Sequence, residues 1–204
     1  IIKSEHSILV ESGAGNKSFI SDSEYKESGA TIVNSSNDIY QKADIIFKVN
    51  PPSSDELEQL KNESTIISFF QIKDEIKKIA TYMNKNISIL SMSHIPRTSL
   101  AQNMDALSSQ SNIAGYKATI IGADHISKYM PLLMTAAGTI KPAKVLILGA
   151  GVAGLAAIAN AKRMGAQVYA FDVRPVVKEQ VESLGANFIE VESETDEGVG
   201  EGGY

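Results

Sequence analysis

The chain has 204 residues, 43% of them hydrophobic and 21% charged, with a formal net charge of −5; this composition excludes disordered, collagen-like and mucin-like classes. There is no cysteine, so disulfide scaffolds, thiolate nucleophiles and Cys-ligated zinc or iron–sulfur centres are excluded, and redox chemistry would belong to a bound cofactor. Three arginines stand beside sixteen lysines with no basic cluster interleaved by aromatics, which gives no nucleic-acid footprint, and the apolar stretch 144–161 is broken by glycines and polar residues short of the ~20 positions a membrane helix needs.

From the front, β-branched runs at 7–11, 30–33, 44–49, 65–70 and 87–90 read as strands separated at the spacing of βα units. Ser21-Asp-Ser-Glu24 and Ser53-Ser-Asp-Glu56 read as capping boxes that open helices at about 21–29 and 54–62. Ile72, Ile76, Ile79, Ala80 and Met83 recur at helical spacing. A long helix rich in small residues is predicted from Asp105 to Tyr129, ended by Pro131, and Thr135-Ala-Ala-Gly-Thr139 leads through Pro142 into a second βα block. That block reads as strand 144–148, helix 152–164, strand 167–171, helix 176–184 and strand 187–191, followed by an acidic, Gly-rich stretch from Glu192 to Tyr204.

The pattern predicts an α/β protein with two doubly wound, Rossmann-like parallel-sheet domains joined by long helices. The expected division is residues 1–130, with the first strand missing before Ile1, and residues 131–204, incomplete at the far end.

The strongest chemical signal is Val145-Leu-Ile-Leu-Gly149-Ala-Gly151-Val-Ala-Gly154, which ends an apolar strand and opens a helix, with Asp172 following 18 residues after the last glycine. Gly149 permits a tight turn, Gly151 lets the backbone approach a pyrophosphate, and Gly154 lets helix pack on strand. A Gly-rich turn without a nucleotide is the alternative. A carboxylate at Asp172 would accept the ribose hydroxyls of NAD(H) and repel the 2′-phosphate of NADP(H), whereas Arg174 could accept that phosphate.

A second constellation, Ile95-Pro-Arg97-Thr-Ser-Leu-Ala-Gln102-Asn-Met-Asp105-Ala-Leu-Ser108, lies just after a predicted strand, at the carboxyl edge where α/β sheets bind ligands. Gln102, Asp105 and Ser108 fall three apart, and a helix starting there would place them near one face. A capped helix start with a surface Arg explains the same residue types.

Pro96-Arg97, Ala101-Gln102, the run from Met104 through Ser108 to Tyr116, Met134-Thr-Ala-Ala-Gly138-Thr, Gly149 to Ala159 and Ala161-Lys-Arg-Met-Gly165-Ala closely resemble the NAD(H)-binding domain of proton-translocating NAD(P) transhydrogenase, in the alanine dehydrogenase/transhydrogenase family. The resemblance extends to Val10-Glu-Ser-Gly-Ala-Gly15, Asp172-Val-Arg174 and Gly202-Gly-Tyr204. It implies an oxidoreductase component, Re/Si-specific as a whole enzyme, that binds NAD(H) and passes hydride directly to NADP(H) on a partner domain, coupled to proton movement through a membrane domain. It further implies a homodimer at an energy-transducing membrane, on the matrix side of the mitochondrial inner membrane or the cytoplasmic face of the bacterial one.

Carried over on that resemblance, Arg97, Gln102 and Asp105 are the catalytic loop that presents the nicotinamide end, with Ser108 beside it. Gly149, Ala150, Gly151, Val152 and Gly154 form the pyrophosphate turn, Asp172, Val173 and Arg174 the adenosine-ribose contacts, and Gly203 and Tyr204 part of a loop that closes over the nucleotide. Direct hydride transfer asks for contact and exclusion of water rather than a protonic acid or base.

Two other readings share the fold: an alanine-dehydrogenase-like amino-acid oxidoreductase and a noncatalytic NAD-binding module. Alanine dehydrogenases resemble this chain through the strands 44–49 and 65–70, but where they place a Lys and a His this chain has Asn50 and Gln71. No metal-ligand spacing appears among His6, His94 and His125, and His94 reads as packing at a strand end.

Overall fold

The computed structural model describes residues 6–96 and 98–191. The chain divides into two compact units, Ile1–Asp105 and Ala106–Tyr204.

In the first unit, β1 (Leu9–Glu11) leads to α1 (Asp22–Glu27), whose start is the expected capping box: the Ser21 side chain accepts from the Glu24 N–H, and the Glu24 carboxylate accepts from the Ser21 N–H. After β2 (Thr31–Val33) comes α2 (Ser36–Lys42), a helix with no periodic apolar stripe to announce it; Ser35 caps it, and Tyr40 is its buried residue. Then follow β3 (Ile45–Phe47), α3 (Ser54–Gln59) behind the second capping box at Ser53, and β4 (Thr65–Ser68).

The apolar repeat after β4 does not give one helix with an inward stripe. The chain breaks into α4 (Ile72–Glu75), a 3-10 turn at Ile76–Lys78 and α5 (Ile79–Asn84), with Ile72, Ile76, Ile79 and Met83 exposed. Glu75 turns inward instead, accepting the Tyr82 hydroxyl at 2.9 Å and a bond from Lys78. A buried carboxylate needs such partners, and Tyr82 and Lys78 supply them here.

With β5 (Ser88–Ser91), the strands of this unit form a parallel β1–β2 pair and a parallel β3–β4–β5 sheet, with Ile46 opposite Ile66 and Ile66 opposite Ile89. Tyr40, Ile46, Leu57, Leu60, Ile66, Phe70 and Tyr82 make the core, where the Phe70 and Tyr82 rings meet edge-on at 6.0 Å.

The second unit opens with α6 (Ala106–His125), four residues shorter than the expected end at Tyr129; the His125 ring donates to the Ile121 carbonyl at 2.9 Å and finishes the last turn. Residues 133–140, expected as a connecting segment, instead form an antiparallel hairpin of β6 (Leu133–Thr135) and β7 (Gly138–Ile140). Its two-residue turn, Ala136-Ala137, lacks the Asn-Gly or Asp-Gly signature of such turns and is held by the Ala137 N–H on the Thr135 hydroxyl.

The rest follows the predicted alternation: β8 (Lys144–Leu148), α7 (Val152–Arg163), β9 (Gln167–Phe171), a 3-10 turn into α8 (Lys178–Ser183), and β10 (Asn187–Phe188). These strands form a parallel sheet in the order β10–β9–β8. Ile158, Ala161, Val168, Ala170 and Val181 are fully or almost fully buried at its core.

The second compact unit includes α6 because α6 packs on α7. A Cβ on Gly115 would lie 2.0 Å from the Ala153 carbonyl oxygen, and Thr119 donates to the Ala157 carbonyl at 3.3 Å. The small residues of α6 are what permit the approach.

Candidate functional site

Between β8 and α7 the backbone makes one tight reversal, and each glycine there has its own reason. Gly149 has φ +92°, a conformation that residues with a Cβ rarely adopt. A Cβ on Gly154 would sit 1.8 Å from the Gly149 carbonyl oxygen, so the helix can lie against the turn only without one. Gly151, the residue before α7, is the contrast: among the described residues nothing lies within 4 Å of the position its Cβ would take.

Open space therefore faces the backbone at the start of α7. The N–H groups of a helix's first turn have no partner within the helix, and here no side chain among the described residues caps them and no acidic residue lies in that turn. Together with the helix dipole, such a cradle suits a phosphate group. A dinucleotide's pyrophosphate fits the residues present.

Asp172 follows β9 and reaches back to this turn. Its side chain is only 6% exposed, and the Ala150 N–H donates to Oδ2 at 2.6 Å. The Arg174 N–H and Nε each donate to Oδ1 at 2.9 Å, and Nη2 donates to Oδ2 at 3.1 Å. The bond from the Arg174 guanidinium outweighs the burial that opposes ionisation and, with the two N–H groups, holds the carboxyl far below the usual carboxylate range. Gly149, Ala150, Gly151, Asp172 and Arg174 are thus brought together, with Val152 and Val173 exposed beside them. Sequence reasoning missed that Arg174 already holds Asp172; the signal available was the two-residue spacing of an Asx-type turn.

In the first unit, the carboxyl ends of β3, β4 and β5 form a second edge. Asn50 and Gln71 follow β3 and β4 and are both exposed. Lys48, closer to β3, is not available in their place: its Nζ lies 2.5 Å from Glu56 Oε1 and 3.2 Å from the Tyr40 hydroxyl, which itself donates to Glu56 at 2.6 Å. Burial opposes the Glu56 charge, but the bonds from Lys48, Tyr40 and the Ser53 N–H prevail and hold its carboxyl down at about 2. Nothing in the sequence pattern announced this cluster, because its members come from α2, the residue after β3, and α3.

Beyond β5, the Ser91 hydroxyl donates to the Phe70 carbonyl at 3.0 Å and lies 2.8 Å from His94 Nδ1, so His94 packs at the strand end as expected. Gln102 is exposed in a 3-10 turn over Ser99–Met104, and Asp105 ends that turn with φ −75° and ψ 72°. Because α6 begins only at Ala106, Gln102, Asp105 and the half-buried Ser108 do not share one continuous helix face, contrary to the expectation from their spacing. Non-helical dihedrals at Asp105 break the repeat. Arg97, Gly203 and Tyr204 lie outside the described residues. No cluster of His, Cys, Asp or Glu among the described residues could hold a metal ion.

Residues 1–114 match the N-terminal domain and residues 118–201 the C-terminal domain of alanine dehydrogenase/PNT. The chain is 44% identical to NAD(P) transhydrogenase subunit alpha of Cereibacter sphaeroides over 200 residues, 98% of this chain and 38% of that protein. It matches the crystal structure of transhydrogenase from Sinorhizobium meliloti with a TM-score of 0.88 and 43% identity, covering 93% of this chain and 57% of that one. Alanine dehydrogenase 2 of Staphylococcus aureus is more distant, 28% identical over 90% of this chain and 50% of its own length. The chain spans about half or less of the curated relatives it matches, 38% and 50% for these two. With both domain types matched in order and a parallel α/β fold shared with a transhydrogenase, the chain belongs to the alanine dehydrogenase/PNT family.

Proposed function

We propose that this chain is the NAD(H)-binding component of a proton-translocating NAD(P) transhydrogenase, in which hydride passes directly between NAD(H) here and NADP(H) on a partner domain. The observation that carries the reading is the β8–α7 turn, where uncapped helix N–H groups and the open space at Gly151 lie beside the buried Asp172 carboxylate.

Ala150, Gly151 and Val152 would line the pyrophosphate, and Asp172, Val173 and Arg174 the adenosine ribose. NAD(H), when bound, supplies the hydride chemistry. Arg97, Gln102 and Asp105, with Ser108, then act by position, holding the nicotinamide end toward the partner nucleotide and keeping water out. None of these residues is required to exchange a proton with substrate, in keeping with direct transfer.

Asn50, Gln71 and the engagement of Lys48 favour this reading over amino-acid oxidation. That reaction needs a cation for the substrate carboxylate and a group that takes up and returns protons; neither Asn nor Gln does either, and Lys48 is held by Glu56 and Tyr40. Among the described residues no helix is long and apolar enough to cross a membrane, so proton movement would belong to a partner membrane domain. The protein would work at an energy-transducing membrane. A homodimer is part of the proposal, supported by the β6–β7 hairpin, which exposes Leu133, Met134 and Ile140 although isolated hairpins are marginally stable.

The test is hydride exchange between NADH and an NADP analogue by the intact protein, with and without its NADP-binding partner. Partner-dependent exchange, with no turnover of pyruvate and ammonia, is the expected result. Pyruvate reduction indifferent to the partner would favour the amino-acid oxidoreductase instead.

A further inference from the structure

The carboxylate that the proposed function assigns to the adenosine ribose is already saturated by the protein. A carboxylate offers about four acceptor positions. On Asp172 they are taken by the Ala150 N–H at 2.6 Å, the Arg174 N–H at 2.9 Å, and the Arg174 guanidinium through Nε at 2.9 Å and Nη2 at 3.1 Å.

These four bonds are not equally removable. Ala150 is 1% exposed inside the turn, and the two N–H donors are main-chain groups that cannot leave without remaking the backbone. The guanidinium is different: the Arg174 side chain is 27% exposed, and moving it off Asp172 does not require remaking the backbone. It also presents two donors side by side, one to each carboxylate oxygen. That is the pattern two neighbouring hydroxyls of a ribose would present to the same carboxylate.

We propose that Arg174 is a tethered competitor of the nucleotide, its guanidinium holding on Asp172 the acceptor positions that the ribose diol takes, so that NAD(H) binds at the adenosine end only as this side chain swings out. The exchange replaces two donors by two donors and leaves the main-chain bonds to Asp172 intact. It also keeps the buried carboxylate paired when no nucleotide is present, which an empty acid-lined subsite would not do. Once displaced, the guanidinium remains tethered beside the ribose edge, where it would meet the 2′-phosphate of NADP(H). The same residue therefore lowers affinity for NAD(H) and partly offsets the repulsion of NADP(H) by Asp172.

The inference rests on the ribose assignment of Asp172, and calorimetric titration of the intact protein separates the two. Arg174→Ala is expected to bind NADH about five-fold more tightly, the scale of a partly exposed ion pair, to bind NADPH more weakly, and to leave affinity for reduced nicotinamide mononucleotide unchanged. Unchanged or weaker NADH binding would overturn the competition. Asp172→Ala tests the underlying assignment: if it leaves NADH affinity unaltered, the ribose reading fails whatever Arg174 does. If it weakens NADH while Arg174→Ala does not strengthen it, only the competition fails. A crystal structure of the unmutated protein with NADH serves should the Arg174 variant fold poorly. Loss of the 2.9 Å contact between Nε and Oδ1 is expected there, and a guanidinium still seated on Asp172 beside bound NADH would overturn the proposal.

Discussion

The β8–α7 turn and the edge formed by the ends of β3, β4 and β5 both lie at the carboxyl ends of parallel strands, yet they hold their groups by different means. At the turn the groups proposed to face a ligand are main-chain N–H groups, placed by three glycines within six residues and by one buried acid. At the other edge they are side chains on connecting segments: Asn50, Gln71, and Gln102 in a 3-10 turn. A site built from backbone is fixed wherever its glycines pack, as Gly154 does on Gly149. A site built from side chains can change its chemistry while the strands beneath stay put, which is how Asn50 and Gln71 can stand on a fold that the chain shares with alanine dehydrogenase.

The largest effect expected from this contrast is at Gly154. Gly154→Ala forces a Cβ to within 1.8 Å of the Gly149 carbonyl oxygen, a backbone atom that cannot yield without moving the turn. Overpacking of this kind destabilises by about 3 kcal/mol, read as a lowered urea midpoint together with lost NADH binding. Gly151→Ala has open space and a φ of −76° that any residue adopts. It should keep the urea midpoint within about 0.5 kcal/mol while weakening NADH at least ten-fold, because the added methyl occupies the proposed phosphate cradle. Equal stability losses in the two variants would erase the distinction between a packing glycine and a binding glycine.

The same contrast explains what was legible in the sequence. The turn, the helix after it and Asp172 lie within 30 residues, and each signal is local: a strand, a glycine spacing, an acid. The capping boxes at Ser21 and Ser53 were legible for the same reason. The helix expected over 72–83 was not, because its apolar spacing says nothing of Glu75, whose burial against Tyr82 decides which way the segment faces. Likewise Gln102, Asp105 and Ser108 share a spacing but not a helix, since a single non-helical residue, Asp105, separates the 3-10 turn from α6. The Lys48–Glu56–Tyr40 cluster was invisible because it joins three separate segments of the chain. Spacing predicts periodic structure well and says little about where the period is interrupted.

A second prediction tests whether the side-chain edge acts through geometry. Gln102→Asn shortens an exposed side chain by one methylene and lies outside the Gly149–Gly154 sequence of the β8–α7 turn. Hydride transfer should fall by about 10²-fold, the scale of a displacement near 1 Å, while NADH affinity measured by titration changes little. A proportional loss of affinity and transfer would place Gln102 among the groups that bind rather than those that position.

The smallest expected effect concerns Lys48, which the Asn50 and Gln71 argument requires to be engaged. Glu56 has its carboxyl held at about 2 against an ordinary value of 4.5. Because the folded value is the lower one, the carboxylate's contribution to stability is complete above about pH 4.5 and is lost as pH falls toward 2. Lys48→Met removes one of its donors and leaves Tyr40 and the Ser53 N–H in place, so the first unit should lose about 1 kcal/mol at pH 7, the upper end for a partly exposed pair. That difference between the variant and the unmutated protein should shrink across pH 4.5 to 2, as Glu56 takes up its proton in both. Urea denaturation at pH 7, 4 and 2.5 reads it directly. A difference that stays constant over this range would mean that Lys48 contributes through its contact with the Tyr40 ring, whose centroid lies 5.7 Å from the ammonium, rather than through Glu56. An ammonium not tied to Glu56 would in turn be free to meet a substrate carboxylate, and the case against amino-acid oxidation would then rest on Asn50 and Gln71 alone.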